Sequence, residues 1–474
     1  MNLFIVFPVH LFKDITILKN YDIVMLIEEP IYFTDFNFHK AKLVLHRSTM
    51  NYYHDYLSNH NIKTLYTNFY SIKKDFYKNL SSKYNSITFY EPYDFKLENK
   101  LHFKNFIKIN NPNFLLDNDT INYFKNDDKL SFLNFYKFQR KKYNILMKKN
   151  KPINDKWTFD KENRLPYKDD TNKLFKPTNN NNSYVVKAIK YVNKHFNDNY
   201  GSTEHFFYPI NHTQSKSWLK NFIKNRFSNF GKYEDAILSD NNFLFHSVLS
   251  PIMNIGLITD TDIINEILNI KINIQSLEGF IRQIIGWRNY MLMVYILKGK
   301  SKLDNFFNHK NKLPYHKFWN AETGIKPVDD AILCIVKYGY CHHIIRLMVL
   351  GNFMLLCKIN PNDVYTIFME WTTDSYNWVM YGNVLMSQFC SENIITNRPY
   401  FSSSNYILKM SNYKKDDWCF IFDSLFYNFI HTHKKYLKQN YSTYNFVSLL
   451  NKKNTDEKNI MTQICKEFLH ILYN

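Results

Sequence analysis

The stretch NLFIVFPVHLFKDITILKNYDIVMLI, residues 2–27, decides the fold of the first part of the chain. Its two apolar runs, NLFIVF and DIVMLI, are typical of buried strands. Further along, KLVLHR (42–47) and ITFYEP (87–92) predict two more strands, and a helix is expected from Ser48, as N-cap, to Tyr56. Strands that alternate with helices indicate a parallel sheet, so an α/β domain is expected here.

The overall composition limits the class of protein. Of the 474 residues, 45% are hydrophobic and 22% are charged, which is ordinary for a globular protein of about two to four domains. The 61 Lys and Arg residues exceed the 42 Asp and Glu residues, giving a net charge of +19. Such a charge favours a polyanionic partner, most simply nucleic acid. The alternative explanation is solubility combined with a Lys-rich codon bias.

Three features of the sequence bear on location. An Arg, Lys or His interrupts every apolar stretch before it reaches the roughly 18 residues that cross a membrane. The start MNLFIVFPVHLF lacks the basic residues and the cleavage site of a signal peptide, so it is interpreted as the first strand. The six cysteines include no CxxC pair, which argues against a disulfide framework or a zinc site. A soluble intracellular protein is therefore expected.

Beyond the α/β part the chain changes character. Residues 147–200 are polar and indicate a connector, flexible except where WTFDKENRLP (157–166) combines aromatic and charged side chains. The spacing of apolar residues then predicts helices at 215–227, 276–297 and 360–371. The expected organisation is an α/β domain at 1–130, a connector at 131–200 and a large all-helical domain at 201–474.

One segment of the helical part poses a burial problem. YGYCHHIIRLMVLGNF (338–353) is almost entirely apolar, yet it carries His342, His343 and Arg346. Buried imidazole and guanidinium groups need partners. Two interpretations stand side by side: satisfied core histidines with a helix–helix salt bridge, or a functional site.

Six strings follow one another along the chain: WTFDKENR (157–164), FLFHSVLSPIMNIGLI (243–258), EGFIRQIIGWRNYM (278–291), GYCHHIIRLMVLGNF (339–353), DSYNWVMYGNV (374–384) and RPYFSSSNYILKMSNY (398–413). In this order they resemble the photolyase-related branch of the photolyase/cryptochrome superfamily, which comprises iron–sulfur bacterial cryptochromes and (6-4) photolyases. The resemblance covers nearly the whole chain. It implies a Rossmann-like N-terminal antenna domain, a connector and an all-α C-terminal domain that holds FAD.

The resemblance also implies a chemistry and a lesion pocket. In this family, light-excited reduced flavin gives an electron to a pyrimidine lesion in DNA, which rearranges and returns it. One imidazole of the histidine pair is expected to act as general acid, because its ordinary pKa lies near neutrality. The matching lesion-pocket and DNA-contact positions are His342, His343, Tyr400, Tyr406, Asp160 and Arg164.

The same resemblance implies a set of FAD-binding residues. Hydroxyl and backbone N–H groups near a helix start suit a diphosphate, and Asn383 matches the position beside flavin N5. Arg346 is a candidate partner of the flavin or of an acidic side chain. The full set is His246, Ser247, Leu249, Ser250, Asn254, Arg282, Gln283, Trp287, Arg346, Asp374, Trp378 and Asn383.

A second chromophore and an inorganic cluster are further family features. Glu29 and Tyr32 match the place where the family binds a lumazine-type antenna, so a lumazine- or deazaflavin-type antenna is expected. The family's 4Fe–4S cluster is expected to be absent because it needs four thiolates. The matching places hold Pro327, Lys414 and Asp417, with Cys419 within about one position of the fourth. No metal site is predicted.

The electron supply also departs from the family pattern. Trp319 matches a surface tryptophan that passes electrons to the flavin. The inner Trp–Tyr pair of the family is replaced by Ile367 and Phe368, so another route, such as Trp371 or Trp378, is expected.

Two functions from different classes follow. The first is an enzyme, an FAD-dependent DNA photolyase for the (6-4) lesion, acting as a monomer on UV-damaged DNA. Its location would be the cytoplasm or nucleoid, or a viral or host compartment that contains DNA. The alternative is a cryptochrome-like blue-light photoreceptor without repair activity, which the missing cluster cysteines favour. A third candidate is a nucleic-acid-binding protein that has lost flavin, and the intact FAD strings oppose it.

Overall fold

A computed structural model describes residues 1–126, 130–169, 174–301, 303–390, 399–439 and 441–474. The N-terminal part contains one five-stranded sheet, in which every pair of neighbours is parallel and the strand order is β3-β2-β1-β4-β5. The strands are β1 (Asn2–Val6), β2 (Ile23–Ile27), β3 (Thr64–Thr67), β4 (Ser86–Tyr90) and β5 (Phe106–Ile109).

The sheet arises where the sequence places continuous apolar runs. Strand β1 lies at the centre, with Leu3 beside Ile23 of β2 and Ile87 of β4. All three side chains are buried, as expected for a parallel sheet covered on both faces. The predicted strands at 2–7, 22–27 and 87–92 are thereby confirmed, and so is the predicted fold class.

The fourth predicted strand, KLVLHR at 42–47, is wrong. These residues belong to helix α1 (Lys40–Ser58), which starts at His39, whose ring accepts a hydrogen bond from the Ala41 amide at 3.0 Å. Ser48 is therefore not an N-cap but lies inside the helix, where its hydroxyl donates to the Val44 carbonyl at 2.6 Å. The helix contacts β3 on one side and a later helix on another, so its apolar residues form no single stripe and resemble a buried strand.

That later helix corrects the expectation of a flexible connector. Helix α6 (Ser183–His195) begins inside the Asn-rich stretch, where the Asn182 side chain caps it by accepting from the Tyr184 amide at 3.0 Å. Val185, Ala188 and Val192 are buried at helical spacing. Before it, the connector forms a short hairpin of β6 (Met147–Lys148) and β7 (Lys151–Pro152).

The remaining elements are helices. The first group is α2 (Phe76–Lys83), α3 (Phe95–Lys100), α4 (Asn118–Phe124), α5 (Phe132–Lys142), α7 (His212–Asn225), α8 (Phe227–Phe230), α9 (Ser250–Asn254), α10 (Asp260–Leu268), α11 (Ile274–Ile281) and α12 (Asn289–Lys298). The second group is α13 (Tyr315–Asn320), α14 (Lys326–Tyr338), α15 (Asn352–Leu356), α16 (Pro361–Trp371), α17 (Asn377–Ser387), α18 (Ser404–Met410), α19 (Asp417–Thr432), α20 (Lys434–Gln439), α21 (Tyr444–Asn451) and α22 (Thr455–Tyr473).

The helices predicted in the second half are confirmed, with one refinement. The stretch 276–297 is helical throughout, but a π-helical segment, Arg282–Arg288, joins α11 to α12. A second π-helical segment, Ile345–Gly351, precedes α15. Such segments are rare and often mark functional sites.

Within the described residues, no helix has both the length and the apolar character needed to cross a bilayer. The domain boundaries at 130 and 200 stay a prediction.

The carboxyl edge of the parallel sheet packs on the helical part. The Leu11 amide, after β1, donates to the Ile255 carbonyl at 3.0 Å. Asn113, after β5, donates its side-chain amide to the Met253 carbonyl at 2.6 Å. Ligands of open α/β sheets bind outside this edge, and here the edge lies against the end of α9.

Candidate flavin and lesion site

A cavity of about 460 Å³ lies in the helical part, within the range of about 300–1,000 Å³ that small-molecule sites occupy. Both π-helical segments contribute to its wall, together with α9, α17 and the segment around Tyr400. All predicted cofactor, lesion and DNA-contact residues except Leu249 and His342 line it, namely Asp160, Arg164, His246, Ser247, Ser250, Asn254, Arg282, Gln283, Trp287, His343, Arg346, Asp374, Trp378, Asn383, Tyr400 and Tyr406.

The histidine pair divides between two places. Gly339 ends α14 at a φ of 63°, and a side chain there would come within 2.9 Å of Thr373, so glycine is needed to turn the chain. After this turn, His343 lines the cavity and is partly exposed. Its Nε2 lies 3.8 Å from the Asp235 carboxylate, with which it can form an ion pair when protonated.

His342 lies behind the wall of the cavity. It is buried and stacks on His246 with ring centroids 4.3 Å apart and planes inclined by 12°. Burial, helped by the charges of His343 and Arg346, holds the pKa of His342 well below its usual value, so its ring is neutral. Neither ring nitrogen of His342 has a hydrogen-bond partner in the described part of the chain.

Three imidazoles, those of His246, His342 and His343, lie close enough together to be considered as metal ligands. The ligand atoms of His246, His342 and His343 lie within 4.8 Å of one another, and no other such His, Cys, Asp or Glu group occurs among the described residues. Ligand lone pairs lie in the ring planes, and the planes of His246 and His342 are nearly parallel. They cannot converge on one ion in this arrangement, so the trio carries no metal assignment.

Near the histidines, a buried ion pair between Arg346 and Asp374 forms part of the wall. Arg346 donates from Nη1 and Nη2 to the two carboxylate oxygens of Asp374, at 2.8 and 3.2 Å. The Ser250 hydroxyl donates to the same carboxylate at 2.6 Å. Although burial acts to raise it, these donors hold the pKa of Asp374 below its usual value. The partner of the buried Arg346 guanidinium is therefore the Asp374 carboxylate.

An acidic cluster surrounds Arg282 at another part of the wall. Its guanidinium pairs with Asp160 at 3.0 Å, with Glu234 at 3.4 Å and with Glu278 at 3.4 Å. Burial raises the pKa of Glu234, while Arg282 acts in the opposite direction. The sequence interpretation missed these glutamates, although the i, i+4 spacing of Glu278 and Arg282 gave a signal. Arg282 is thus engaged by carboxylates before any ligand binds.

Two neighbours of this cluster have comparable roles. Gln283 donates its amide to Glu234. Arg164 pairs with Asp160 one turn away, and its Nε lies 3.8 Å from Asp235. Since the Arg164 side chain is 41% exposed, it stands at the rim of the cavity.

Polar and aromatic residues line the rest. Arg288 pairs with Asp260 at 2.8 Å and donates to the Asn254 side chain. Asn383 donates its amide N–H to the Val379 carbonyl at 2.7 Å, which leaves its Oδ1 as an acceptor. Trp287 uses one face for packing, because it stacks on Phe132 at 3.8 Å.

Several other predicted positions lie apart from this cavity. Leu249 is buried beside it. Trp319 is 45% exposed and its ring contacts Tyr200, with centroids 4.5 Å apart. The first residue of the string at 398–413, Arg398, lies outside the described residues.

The predicted antenna residues are engaged with protein groups. Glu29 is buried, accepts from the Tyr77 hydroxyl and pairs with Lys100 at 2.6 Å. A cavity of about 10 Å³ beside Tyr32 and Asp94 has room for about one water molecule. The residues in this arrangement do not fit a lumazine or a deazaflavin.

The positions that match the family's iron–sulfur cysteines lie at helix ends and in the core. Pro327 is buried in the first turn of α14, Asp417 begins α19, and Cys419 is buried in α19. All six cysteines are free thiols. Three of the four matching places hold Pro327, Lys414 and Asp417, which have no thiol to bind iron, so the absence of a 4Fe–4S cluster stays a prediction.

Comparisons with known proteins agree with the fold. Residues 4–208 match the family described as deoxyribodipyrimidine photo-lyase-related protein. A (6-4) photolyase of Agrobacterium fabrum is 34% identical over 323 residues, which are 65% of this chain and 64% of that protein. The aligned part therefore spans slightly less than two thirds of the relative.

Two solved structures share the fold. A Synechocystis cryptochrome superposes with a TM-score of 0.60 at 12% identity, covering 99% of this chain and 98% of its own. An archaeal photolyase from Sulfolobus tokodaii, solved with two FAD molecules, superposes with a TM-score of 0.54 at 13% identity, covering 98% of this chain and all of its own. The chain therefore has the fold of these photolyase and cryptochrome structures, and its residues 4–208 match the photolyase-related family.

Proposed function

We propose that the chain is an FAD-dependent DNA photolyase that repairs a UV-induced pyrimidine photoproduct, most specifically the (6-4) lesion. The observation that carries this proposal is the single cavity that brings the Arg346–Asp374 pair and Asn383 together with His343 and Tyr400. The 34% identity to a (6-4) photolyase supports the same lesion class.

The cavity has the donors and acceptors that FAD requires. The buried Nε2 of His246 has no hydrogen-bond partner within the described residues, which suits a polar ligand at that point. Ser247, shortly before α9, offers a hydroxyl to the diphosphate, and Asn383 offers Oδ1 to a protonated flavin N5. When bound and reduced, FAD supplies a light-driven electron.

His343 is proposed as the proton donor to the lesion. It lines the cavity, whereas His342 is buried and neutral behind it and cannot supply a proton as an imidazolium. General acid catalysis by a placed imidazole contributes about 10²–10⁴-fold. Tyr400 and Tyr406 line the same cavity and would contact the lesion.

DNA would approach at the rim where Arg164 is exposed. Arg164 and Asp160 precede the helical part and lie at the cavity edge. The net charge of +19 supports binding of a polyanion, and phosphate contacts of this kind make affinity depend on salt.

Three aromatic rings offer a route for electrons from solution. The exposed Trp319 contacts Tyr200, whose ring stacks on Trp371 with centroids 5.2 Å apart and planes inclined by 14°. Trp371 ends α16, between Phe368 and Asp374, which both line the cavity. Trp371 would lose one electron to light-excited flavin and regain one from Trp319, which a thiol in solution re-reduces.

The experiment is a repair assay on the full chain. Protein reconstituted with FAD and reduced by dithionite is illuminated with blue light in the presence of oligonucleotides that contain one (6-4) or one cyclobutane lesion. Light-dependent recovery of the paired thymines in the (6-4) oligonucleotide supports the proposal, with a dark sample as control. Bound flavin that is photoreduced but restores neither lesion favours the photoreceptor, and failure to bind FAD refutes both.

A further inference from the structure

Residues 372–378, which follow α16 and include the first two residues of α17, contact both the cavity and the N-terminal part. Asp374 and Trp378 line the large cavity. The residues between them contact the N-terminal α/β part instead. Lys42 donates to the Ser375 carbonyl, His46 is hydrogen-bonded to the Tyr376 hydroxyl at 2.8 Å, and Asn377 donates to Asp94 at 2.5 Å.

Among these contacts, the one from Lys42 is costly to build. Lys42 is 1% exposed, and an ammonium group without water is expensive unless it is paired. Its Nζ lies 4.3 Å from the ring centroid of Phe38 and 4.6 Å from that of Tyr376. Ring faces attract cations, so two rings and one carbonyl replace its hydration shell. A methionine would fill this place without that expense.

The charge of Lys42 also acts on the cavity wall. The neighbouring Asp374 carboxylate attracts it, and the same carboxylate is held by Arg346 and Ser250. Arg346 and protonated Lys42 together carry two positive charges around the single negative charge of Asp374, so these three groups sum to one positive charge beside the cavity. Such a charge favours an anionic ligand over a neutral one.

We infer that Lys42 is a positioning residue of the flavin site: its ammonium fixes the Ser375 carbonyl, holds Asp374 against Arg346 and Ser250, and completes a positive wall for anionic FAD. The N-terminal part thus forms part of the flavin site. The inference rests on the proposed function, since it assumes that FAD is the ligand.

The structure provides a signature that mere packing does not. Burial lowers the pKa of Lys42 to about 7, against the attraction of Asp374. The other groups that face it keep one charge state between about pH 6 and pH 9. Burial lowers the pKa of His46 to about 3 and raises that of Tyr376 well above its usual value, and Asp374 stays ionised beside Arg346. Lys42 alone among these groups changes charge in this range.

The test is an FAD titration at about pH 6 and about pH 9, using the full chain and its Lys42→Met and Lys40→Met variants. Lys40 lies two residues away on the same helix and is partly exposed. We expect wild type and Lys40→Met to bind FAD about tenfold more weakly at the higher pH. Lys42→Met should bind weakly at both.

The outcomes separate the two proposals. If wild type binds FAD and Lys42→Met matches its affinity and pH profile, this inference is wrong and the proposed function stands. If wild type binds no FAD, both fall. Should Lys42→Met fail to fold, Lys42→Arg replaces it, because its charge persists throughout. Lys42→Arg is then expected to bind FAD with the same affinity at both pH values. A loss of affinity at the higher pH as large as that of wild type would overturn the inference.

Discussion

Replacing Asp374 by Asn tests the ion pair around which the cavity is organised. The carboxylate accepts two bonds from Arg346 and one from Ser250, and the side chains of the pair are only 14% and 9% exposed. Asp374→Asn keeps the shape but leaves Arg346 buried without an anion. Losing one partner of a buried pair costs about 3–5 kcal/mol. We expect the free energy of unfolding of the ligand-free protein to fall by about that amount.

The assay is urea unfolding monitored by circular dichroism. The dependence of unfolding free energy on urea concentration, the m-value, should be the same in the variant and in wild type. Lys156→Met is the control, because its pair with Glu162 at 3.3 Å is 57% and 42% exposed and exposed pairs contribute little to stability. The double variant Arg346→Met with Asp374→Asn removes both charges and should be more stable than Asp374→Asn. A loss below about 1 kcal/mol for Asp374→Asn would refute the account of this pair.

Three further predictions concern single side chains. His343→Gln should lower the yield of (6-4) repair by about 10²-fold or more with unchanged FAD content, measured by product analysis and flavin absorbance against a His54→Gln control. Trp371→Phe should slow photoreduction with a thiol, measured by flavin absorbance, yet repair normally after dithionite reduction, whereas the control Trp418→Phe should match wild type in both. Because folding lowers the pKa of Lys42 to about 7, the unfolded chain binds more protons than the folded chain above about pH 7. Lys42→Met should therefore flatten the rise in unfolding free energy that wild type shows up to about pH 9 in urea titrations.

How far the sequence predicts the fold depends on how each element is packed. The central strands are continuous apolar runs, and β1, β2 and β4 follow from them. Strands β3 and β5 lie at the sheet edges with partly exposed side chains, so they lack that signal. Helix α1 is buried on several sides, and its residues 42–47 have the composition of a strand. Contacts with distant parts of the chain determine the structure of β3, β5 and α1, so the local sequence pattern could not predict it.

The candidate site shows the same division. Motif resemblance brought together residues from six segments of the chain, and the cavity is lined by nearly all of them. The resemblance could not tell which of two adjacent histidines faces the cavity, since that depends on the turn at Gly339. It also missed Glu234, Glu278 and Lys42, whose roles depend on contacts with residues far away in the chain.

The central claim is that flavin and lesion share one cavity closely enough for direct electron transfer. The most direct measurement is the fluorescence lifetime of the bound, reduced flavin with a (6-4) oligonucleotide and with its undamaged counterpart. The account predicts that the damaged oligonucleotide alone shortens the lifetime, and that it does so in His343→Gln as well, because that residue acts after electron transfer. An unchanged lifetime under conditions where the damaged oligonucleotide is bound would contradict it.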